Sequence, residues 1–288
     1  MRRALTTPHS AVWLLAGFVG LASGVIAQTV PSEPAPATGL ALVLAEQAEA
    51  PFPARLQAVR ALSKTLSSNE VQALYALLNR KNGEDPAAPG ERNALKNDVV
   101  NILRGQQTLP SDLPVRLMAM FNDPTHDAVW RDYCIQHLGV LYPDITPPAR
   151  QTEACTLLWS AAAEKPGSIP GTALIALANL CGRPGFEKAR ITALALSMVR
   201  APDYGEPAKI TAFQICAKLG ETAVLADARQ CLADGSVMLR VSALACVGLL
   251  GDASDLPAVR AAEASTDIRL HTAAAAALKR LQAKSSNH

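Results

Sequence analysis

Apolar residues recur every three or four positions through most of the chain from residue 39 onward. Near the C-terminus, Val241, Leu244, Ala245 and Gly248 follow the spacing i, i+3, i+4, i+7, which places them on one face of a helix. The run from 270 to 281 continues this spacing with leucine and alanine. Proline and glycine pairs separate the runs, and no stretch keeps the two-residue alternation of a strand. The pattern predicts an all-α fold of short helices.

A unit of helix, turn and helix repeats along the chain. The segments 171–183, 209–221 and 240–252 align position by position, each with a glycine at its twelfth position. Weaker copies of this second helix, or B helix, start at Arg55, Arg92, Arg131 and Arg269. The intervals hold further apolar segments that predict first helices, or A helices, over 74–78, 113–120, 155–163, 191–199, 224–232 and 256–264. A two-helix unit that recurs about seven times along the chain predicts an α-solenoid of about seven helical hairpins.

The three strongest copies share a glycine near the end of the B helix. Gly182, Gly220 and Gly251 each fall eleven places after the start of their copy. Because glycine adopts the left-handed conformation at little cost, we expect all three to end their helices in that conformation.

An acidic residue stands six places before the base that opens three of the B helices. The pairs are Asp203 with Lys209, Asp234 with Arg240 and Glu263 with Arg269. In this pattern and in its hairpin unit the chain resembles the HEAT-repeat family, especially the short repeats of phycobilisome-lyase-like proteins. The resemblance implies a right-handed superhelix whose B helices line a concave face, with acid–base pairs that tie each turn to a neighbouring repeat. It does not imply one chemistry.

The N-terminus has the pattern of a secretory signal. Arg2 and Arg3 precede the uncharged segment 11–27, which ends in Val-Ile-Ala and predicts cleavage after Ala27. An uncleaved membrane anchor is the alternative. Residues 28–38 are rich in proline and predict an extended linker before a solenoid over 39–284 and a disordered tail over 285–288. The protein is therefore predicted to be exported, either to a bacterial-type periplasm or into the medium.

Charge and composition exclude several classes of partner. The chain has 27 basic and 25 acidic residues, and the predicted signal removes two arginines, so the mature protein is neutral. Neutrality argues against a nucleic-acid partner and against binding to an anionic membrane after cleavage. Only 4% of residues are aromatic, which favours closely packed alanine- and leucine-rich helices.

All six cysteines of the chain lie after residue 133. They are Cys134, Cys155, Cys181, Cys216, Cys231 and Cys246. An oxidising compartment would permit disulfides, and helical register places Cys134 level with Cys155 and Cys216 level with Cys246. The alternative is that several cysteines are small buried apolar residues. Their spacing contains no CxxC motif for redox chemistry or zinc.

The sequence lacks the motifs of common catalytic and metal sites. No HExxH, GxSxG or P-loop pattern occurs, and Cys134 with His137 supplies too few ligands for a metal. We therefore predict a protein that is not an enzyme, with no catalytic residue, metal or cofactor.

The most distinctive segment is 126–142, which is predicted to form a B helix. Trp130 falls on its inward stripe, whereas Arg131, Tyr133, Gln136 and His137 lie off that stripe. These four residues either contact a partner on the concave face or pack between repeats, with Arg131 in the ladder of ion pairs.

The leading interpretation is a scaffold of the cell envelope that binds a protein or peptide on the concave B-helix face. The alternatives are an enzyme subunit or lyase-like protein that handles a cofactor or chromophore, and a structural envelope protein that self-associates.

Overall fold

A computed structural model describes residues 39–45, 49–81, 88–165 and 167–285 of the chain. The predicted signal peptide, cleavage site and linker lie outside these residues, as do 286–288 of the predicted tail. The chain divides into residues 1–36 and a compact unit of residues 37–288, and the fold below is that of the second unit.

The described residues form fourteen α-helices and no β-strand. The A helices are α1 (Gly39–Leu44), α3 (Ser68–Asn79), α5 (Leu113–Asn122), α7 (Pro148–Ala161), α9 (Lys188–Arg200), α11 (Leu225–Asp234) and α13 (Leu256–Glu263). The B helices are α2 (Phe52–Arg60), α4 (Pro89–Arg104), α6 (Ala128–Leu141), α8 (Ile169–Asn179), α10 (Glu206–Leu219), α12 (Val237–Leu250) and α14 (Ile268–Ser285). Short 3-10 turns at Tyr142–Asp144, Thr222–Val224 and Ala253–Asp255 join some of them.

The prediction of an all-α solenoid of seven hairpins is confirmed. Every predicted B-helix start lies inside a B helix, and each predicted A segment overlaps an A helix. Successive B helices pack in file from α2 to α14, and α9, α11 and α13 pack on the B helices that follow them. Each hairpin thus completes its core against its neighbours, which is the defining property of a solenoid. Trp130 lies fully buried in this core, as predicted.

Polar side chains fix where several helices begin. Ser67 and Glu70 form a reciprocal capping box at the start of α3. The Asp127 carboxylate accepts a hydrogen bond from the Trp130 backbone amide (2.9 Å) at the start of α6. These side chains satisfy amides that have no partner within the helix, so they set the boundaries of the hairpins.

Small residues bring neighbouring B helices into close contact. A Cβ atom at Gly139 of α6 would lie only 2.5 Å from the Cβ of Ala176 of α8. A Cβ atom at Gly248 of α12 would lie 3.0 Å from the Cβ of Ala277 of α14. Neither pair leaves room for a methyl group on the glycine, so these positions set the spacing between the helices.

The glycines predicted to end B helices fall into two groups. Gly182 and Gly220 adopt positive φ angles of 89° and 75°. Gly220 caps α10 in this conformation, as predicted, whereas Gly182 lies in the turn three residues after the end of α8. The prediction was wrong for Gly251, whose φ is −69°. A glycine is required there for space, because a Cβ atom would overlap the carboxylate of Asp255.

Ion pairs tie some of the A–B turns to a neighbouring hairpin. Asp203 pairs with Lys165 of the preceding hairpin (2.6 Å), whereas Arg269 pairs with Asp267 in its own turn (2.6 Å). Asp234 and Glu263 form no ion pair with any described residue. An acid in an A–B turn is therefore reached either by a base of the neighbouring turn, as Asp203 is, or by a base inside the preceding B helix, as Glu164 is by Arg131.

Candidate functional site

Arg131, one of the four predicted contact residues, holds two neighbouring hairpins together. Arg131 donates to the Phe121 carbonyl through Nε (2.7 Å) and to Glu164 through Nη2 (2.9 Å). Tyr133 is half-buried and packs against the core. Arg131 therefore forms the link expected if this segment packs between repeats.

His137 is buried between α4 and α6. Its Nδ1 lies 3.2 Å from Nη1 of Arg104, which can only donate, so Nδ1 is the acceptor. Its Nε2–H then donates to Oδ1 of Asn97 (2.9 Å). Burial, reinforced by the Arg104 charge, lowers the pKa of His137 to about 3. The imidazole is therefore neutral at physiological pH, with both nitrogens occupied inside the protein.

Gln136, the fourth predicted contact residue, is exposed and lines a groove between α6 and α8. The groove has a volume of about 580 Å³. Gly139 and Ala176 form part of its lining, at the point where the two helices approach most closely. The groove thus exists because two small side chains meet between two B helices.

Large aliphatic side chains flank this groove. Val140 of α6 is 52% exposed and Ile175 of α8 is 43% exposed. Single exposed aliphatic residues are ordinary, but two lining one concave surface are typical of a binding site. Val140 could have been noticed in the sequence, since it falls between Leu138 and Leu141 but off the inward stripe.

The far end of the groove carries positive charge. Arg183 belongs to the lining, which contains no carboxylate side chain. Lys218 of α10 lies alongside, where its Nζ donates to Oδ1 of Asn179, another lining residue (3.1 Å). Neither cation forms an ion pair with a residue that the structure describes. Sequence reasoning did not find these residues, because they come from two different hairpins.

A second polar cluster lies inside the N-terminal hairpins. Nε2 of His126 lies 2.9 Å from Nζ of Lys81, which also pairs with Asp123. Lys96 is buried, donates to the Arg80 carbonyl (2.6 Å) and lies 5.0 Å from the centre of the Trp130 ring. Burial lowers the pKa of His126 to about 4 and that of Lys96 to about 8. These contacts join the second and third hairpins.

The six cysteines are free thiols in the structure. Cys134, Cys216 and Cys246 are fully buried, and the remaining three are half-buried. Burial raises the pKa of Cys134 well above its usual range and that of Cys216 and Cys246 to about 12. The pairings of Cys134 with Cys155 and of Cys216 with Cys246 stay predictions.

Within the part of the chain that the structure describes, no three His, Cys, Asp or Glu side chains are grouped as metal ligands. Over the same residues, no helix has the length and apolar character needed to cross a bilayer.

The seven hairpins and their continuous core define a helical-repeat protein of the solenoid class. Among solved structures, a designed armadillo repeat protein is similar to the chain, with 15% sequence identity and a TM-score of 0.43. The match covers 72% of this chain and 98% of the designed protein. No protein-family model matches the chain, and no curated protein is significantly similar to it.

Proposed function

We propose that the protein is a non-enzymatic scaffold that binds a protein or peptide partner on its B-helix surface. The groove between α6 and α8, with its exposed Val140 and Ile175, is the observation on which this proposal rests. Helical-repeat solenoids commonly bind partners through such extended surfaces, because adjacent repeats supply a continuous row of side chains. The resemblance to HEAT repeats supports assigning the groove to the concave side.

Of the residues predicted to contact a partner, Gln136 is retained in this proposal. Arg131 and His137 use their polar groups within the protein, so the contact surface shifts towards Val140 and Ile175. The alternative of an enzyme subunit that handles a cofactor or chromophore would need free polar groups around Tyr133 and His137. Because both nitrogens of His137 are bound internally, we put forward no second function.

Selection from a library of random peptides displayed on phage, with the full chain as bait, tests the proposal. Selected peptides are synthesised, and their affinity is measured for the parent and for the double variant Val140→Ser, Ile175→Ser. The variant removes the apolar contacts of the groove, so we expect binding to fall by at least about tenfold. Val129→Ser is the matched control, since Val129 lies on the same helix outside the groove and is 55% exposed.

Two results would contradict the proposal. The first is a selection that yields no saturable peptide under varied salt and pH. The second is a set of peptides whose affinities are the same for the parent, the groove variant and the Val129→Ser control.

We further propose that the protein works outside the cytoplasm after removal of residues 1–27. The uncharged segment 11–27 and its small-residue ending support this location. The intact mass of protein recovered from the periplasm or medium, with and without thiol alkylation, tests cleavage and counts disulfides together. A mass that begins at residue 28 supports export with cleavage, and a mass that retains residues 1–27 contradicts it.

A further inference from the structure

We infer that the groove between α6 and α8 binds an extended peptide segment that places an aliphatic side chain in the middle of the groove and acidic side chains towards the end at Arg183 and Lys218. This inference rests on the proposed function and adds to it the chemistry of the partner. Three properties of the groove carry it, namely its length, the exposed aliphatic residues and the uncompensated positive charge.

The direction of the groove follows from the spacing of its lining residues. On α6 the lining includes Gln136 and Val140, and on α8 and the turn after it the lining extends from Thr172 to Arg183. With a rise of 1.5 Å per helical residue, the part of the lining on α8, from Thr172 to Asn179, measures about 10 Å. An extended chain rises by about 3.3 Å per residue, so about three peptide residues lie along this part, and further residues reach the turn that carries Arg183.

The middle of the groove favours an aliphatic side chain. Val140 and Ile175 are exposed there, and Gly139 and Ala176 offer no side-chain hydrogen-bonding group. A leucine, isoleucine or valine of the partner would bury these apolar surfaces at once, which is the main favourable contribution available in this region. A polar side chain would lose water there without gaining a hydrogen bond from a lining side chain.

Charge complementarity selects the other residues of the partner. Arg183 and Lys218 lie at one end of the groove with no carboxylate in the lining. On the other side of Val140 the situation differs, because Arg104 shares a second groove with Asp144. Acidic partner residues would supply the missing anions, whereas a basic peptide would be repelled.

Both cations also lie near helix C-termini, since Lys218 is in the last turn of α10 and Arg183 follows α8. Positive charge at such positions offsets the negative end of the helix dipole. That effect accounts for the presence of the cations. It does not require that the cations bind an acidic peptide, so a binding experiment separates the two roles.

The experiment uses three fluorescein-labelled hexapeptides and the full chain, with fluorescence anisotropy as the readout. One peptide alternates leucine with glutamate, the second leucine with lysine, and the third serine with glutamate. We expect the leucine–glutamate peptide to bind most tightly. The double variant Arg183→Glu, Lys218→Glu should lower the affinity for that peptide by about tenfold. The same variant should bind the leucine–lysine peptide more tightly than the parent protein does.

The matched control is Lys279→Glu, Arg280→Glu, which reverses two exposed charges on α14, three hairpins away. This control should leave all three affinities unchanged. If the reversed groove variant unfolds, the neutral pair Arg183→Gln, Lys218→Gln replaces it, with an expected loss of about threefold.

The outcomes separate the inference from the proposed function. Equal binding of the leucine–glutamate and leucine–lysine peptides, both abolished by Val140→Ser, Ile175→Ser, overturns the inference and leaves the groove as the binding surface. Equal binding of the serine–glutamate and leucine–glutamate peptides also overturns it, because charge alone would then suffice. Peptide binding that is unchanged by the double variant Val140→Ser, Ile175→Ser overturns both the inference and the proposed function.

Discussion

Arg229 of α11 forms two parallel hydrogen bonds with Asp255, in the turn that precedes α13. Nε lies 2.7 Å from Oδ1, and Nη2 lies 3.0 Å from Oδ2. Asp255 is only 4% exposed and also accepts a hydrogen bond from the Asp252 amide (3.1 Å). The pair joins the sixth hairpin to the seventh.

Replacing Arg229 with alanine should lower the free energy of unfolding by about 2 kcal/mol, because the buried carboxylate of Asp255 loses both charged donors. Arg229→Lys should recover part of this loss, since lysine keeps the charge but not the paired geometry. Urea unfolding followed by circular dichroism measures the effect. Arg260→Ala, at an exposed position on α13, is the control and should change stability by less than about 0.5 kcal/mol. Equal stabilities for the Arg229 and Arg260 variants would show that the paired contact is unimportant.

Replacing Gly139 with alanine should cost about 1–3 kcal/mol, because the added methyl group would force α6 and α8 apart at Ala176. Thermal unfolding and urea titration measure the loss. A second substitution, Ala176→Gly, should restore part of it by removing the opposing Cβ. The control is Gly90→Ala on α4, where a Cβ atom would meet no other atom within 4 Å. This variant should be slightly more stable than the parent protein. If Gly139→Ala is as stable as Gly90→Ala, the close approach is absent in solution.

Replacing Ala243 with aspartate should destabilise the C-terminal hairpins by several kcal/mol, since Ala243 is fully buried on α12. Hydrogen exchange followed by mass spectrometry should show lost protection mainly in α10 to α14, because hairpins contact their neighbours. Ala275→Asp, at an exposed position on α14, is the control. Melting of the Ala243→Asp variant at the parental temperature would mean that this face of α12 is not the buried one.

Stability should fall as the solution is acidified, and His137 should contribute to the fall. Burial lowers the pKa of His137 to about 3 from its usual value of 6.5, so between these two pH values the unfolded chain binds a proton that the folded chain does not. The stabilisation that follows from keeping His137 neutral is therefore fully present above pH 6.5 and is lost as the pH drops towards 3. The loss in the free energy of unfolding should be about 2 kcal/mol between pH 7 and pH 5.

Urea unfolding of His137→Gln at both pH values measures this contribution, because the variant should have a flatter pH profile than the parent. His271→Gln is the control, since His271 is exposed on α14. Parallel profiles for the parent and His137→Gln would show that His137 does not lose its proton on folding.

The sequence predicted the helices well because helix formation depends on local periodicity. The B helices repeat a similar apolar stripe, and all but the first and the last end near a proline or glycine, so their positions could be predicted without knowing their neighbours. The prediction failed where the outcome depends on another hairpin. Gly251 matches Gly220 in register, yet the Asp255 carboxylate of the next turn dictates its role.

The ion pairs and the groove show the same limit. Lys165 and Asp203 are 38 residues apart, and nothing in the spacing of acids and bases along the sequence indicated Lys165 as the partner of Asp203. Gln136, Asn179 and Lys218 meet at one surface only because α6, α8 and α10 stack in order. Periodicity defines the face of each helix but not which side chains lie opposite one another.

The contact of Gly139 with Ala176 has a consequence for molecular recognition. Because the backbones of α6 and α8 pack tightly at this point, the two helices cannot move apart to fit a peptide. The groove therefore has its binding shape before the peptide arrives. Little receptor entropy is then lost on association. Selectivity would then depend on the shape of the peptide and not on a change in the groove. Peptides that differ by one methylene group should therefore bind with different affinities.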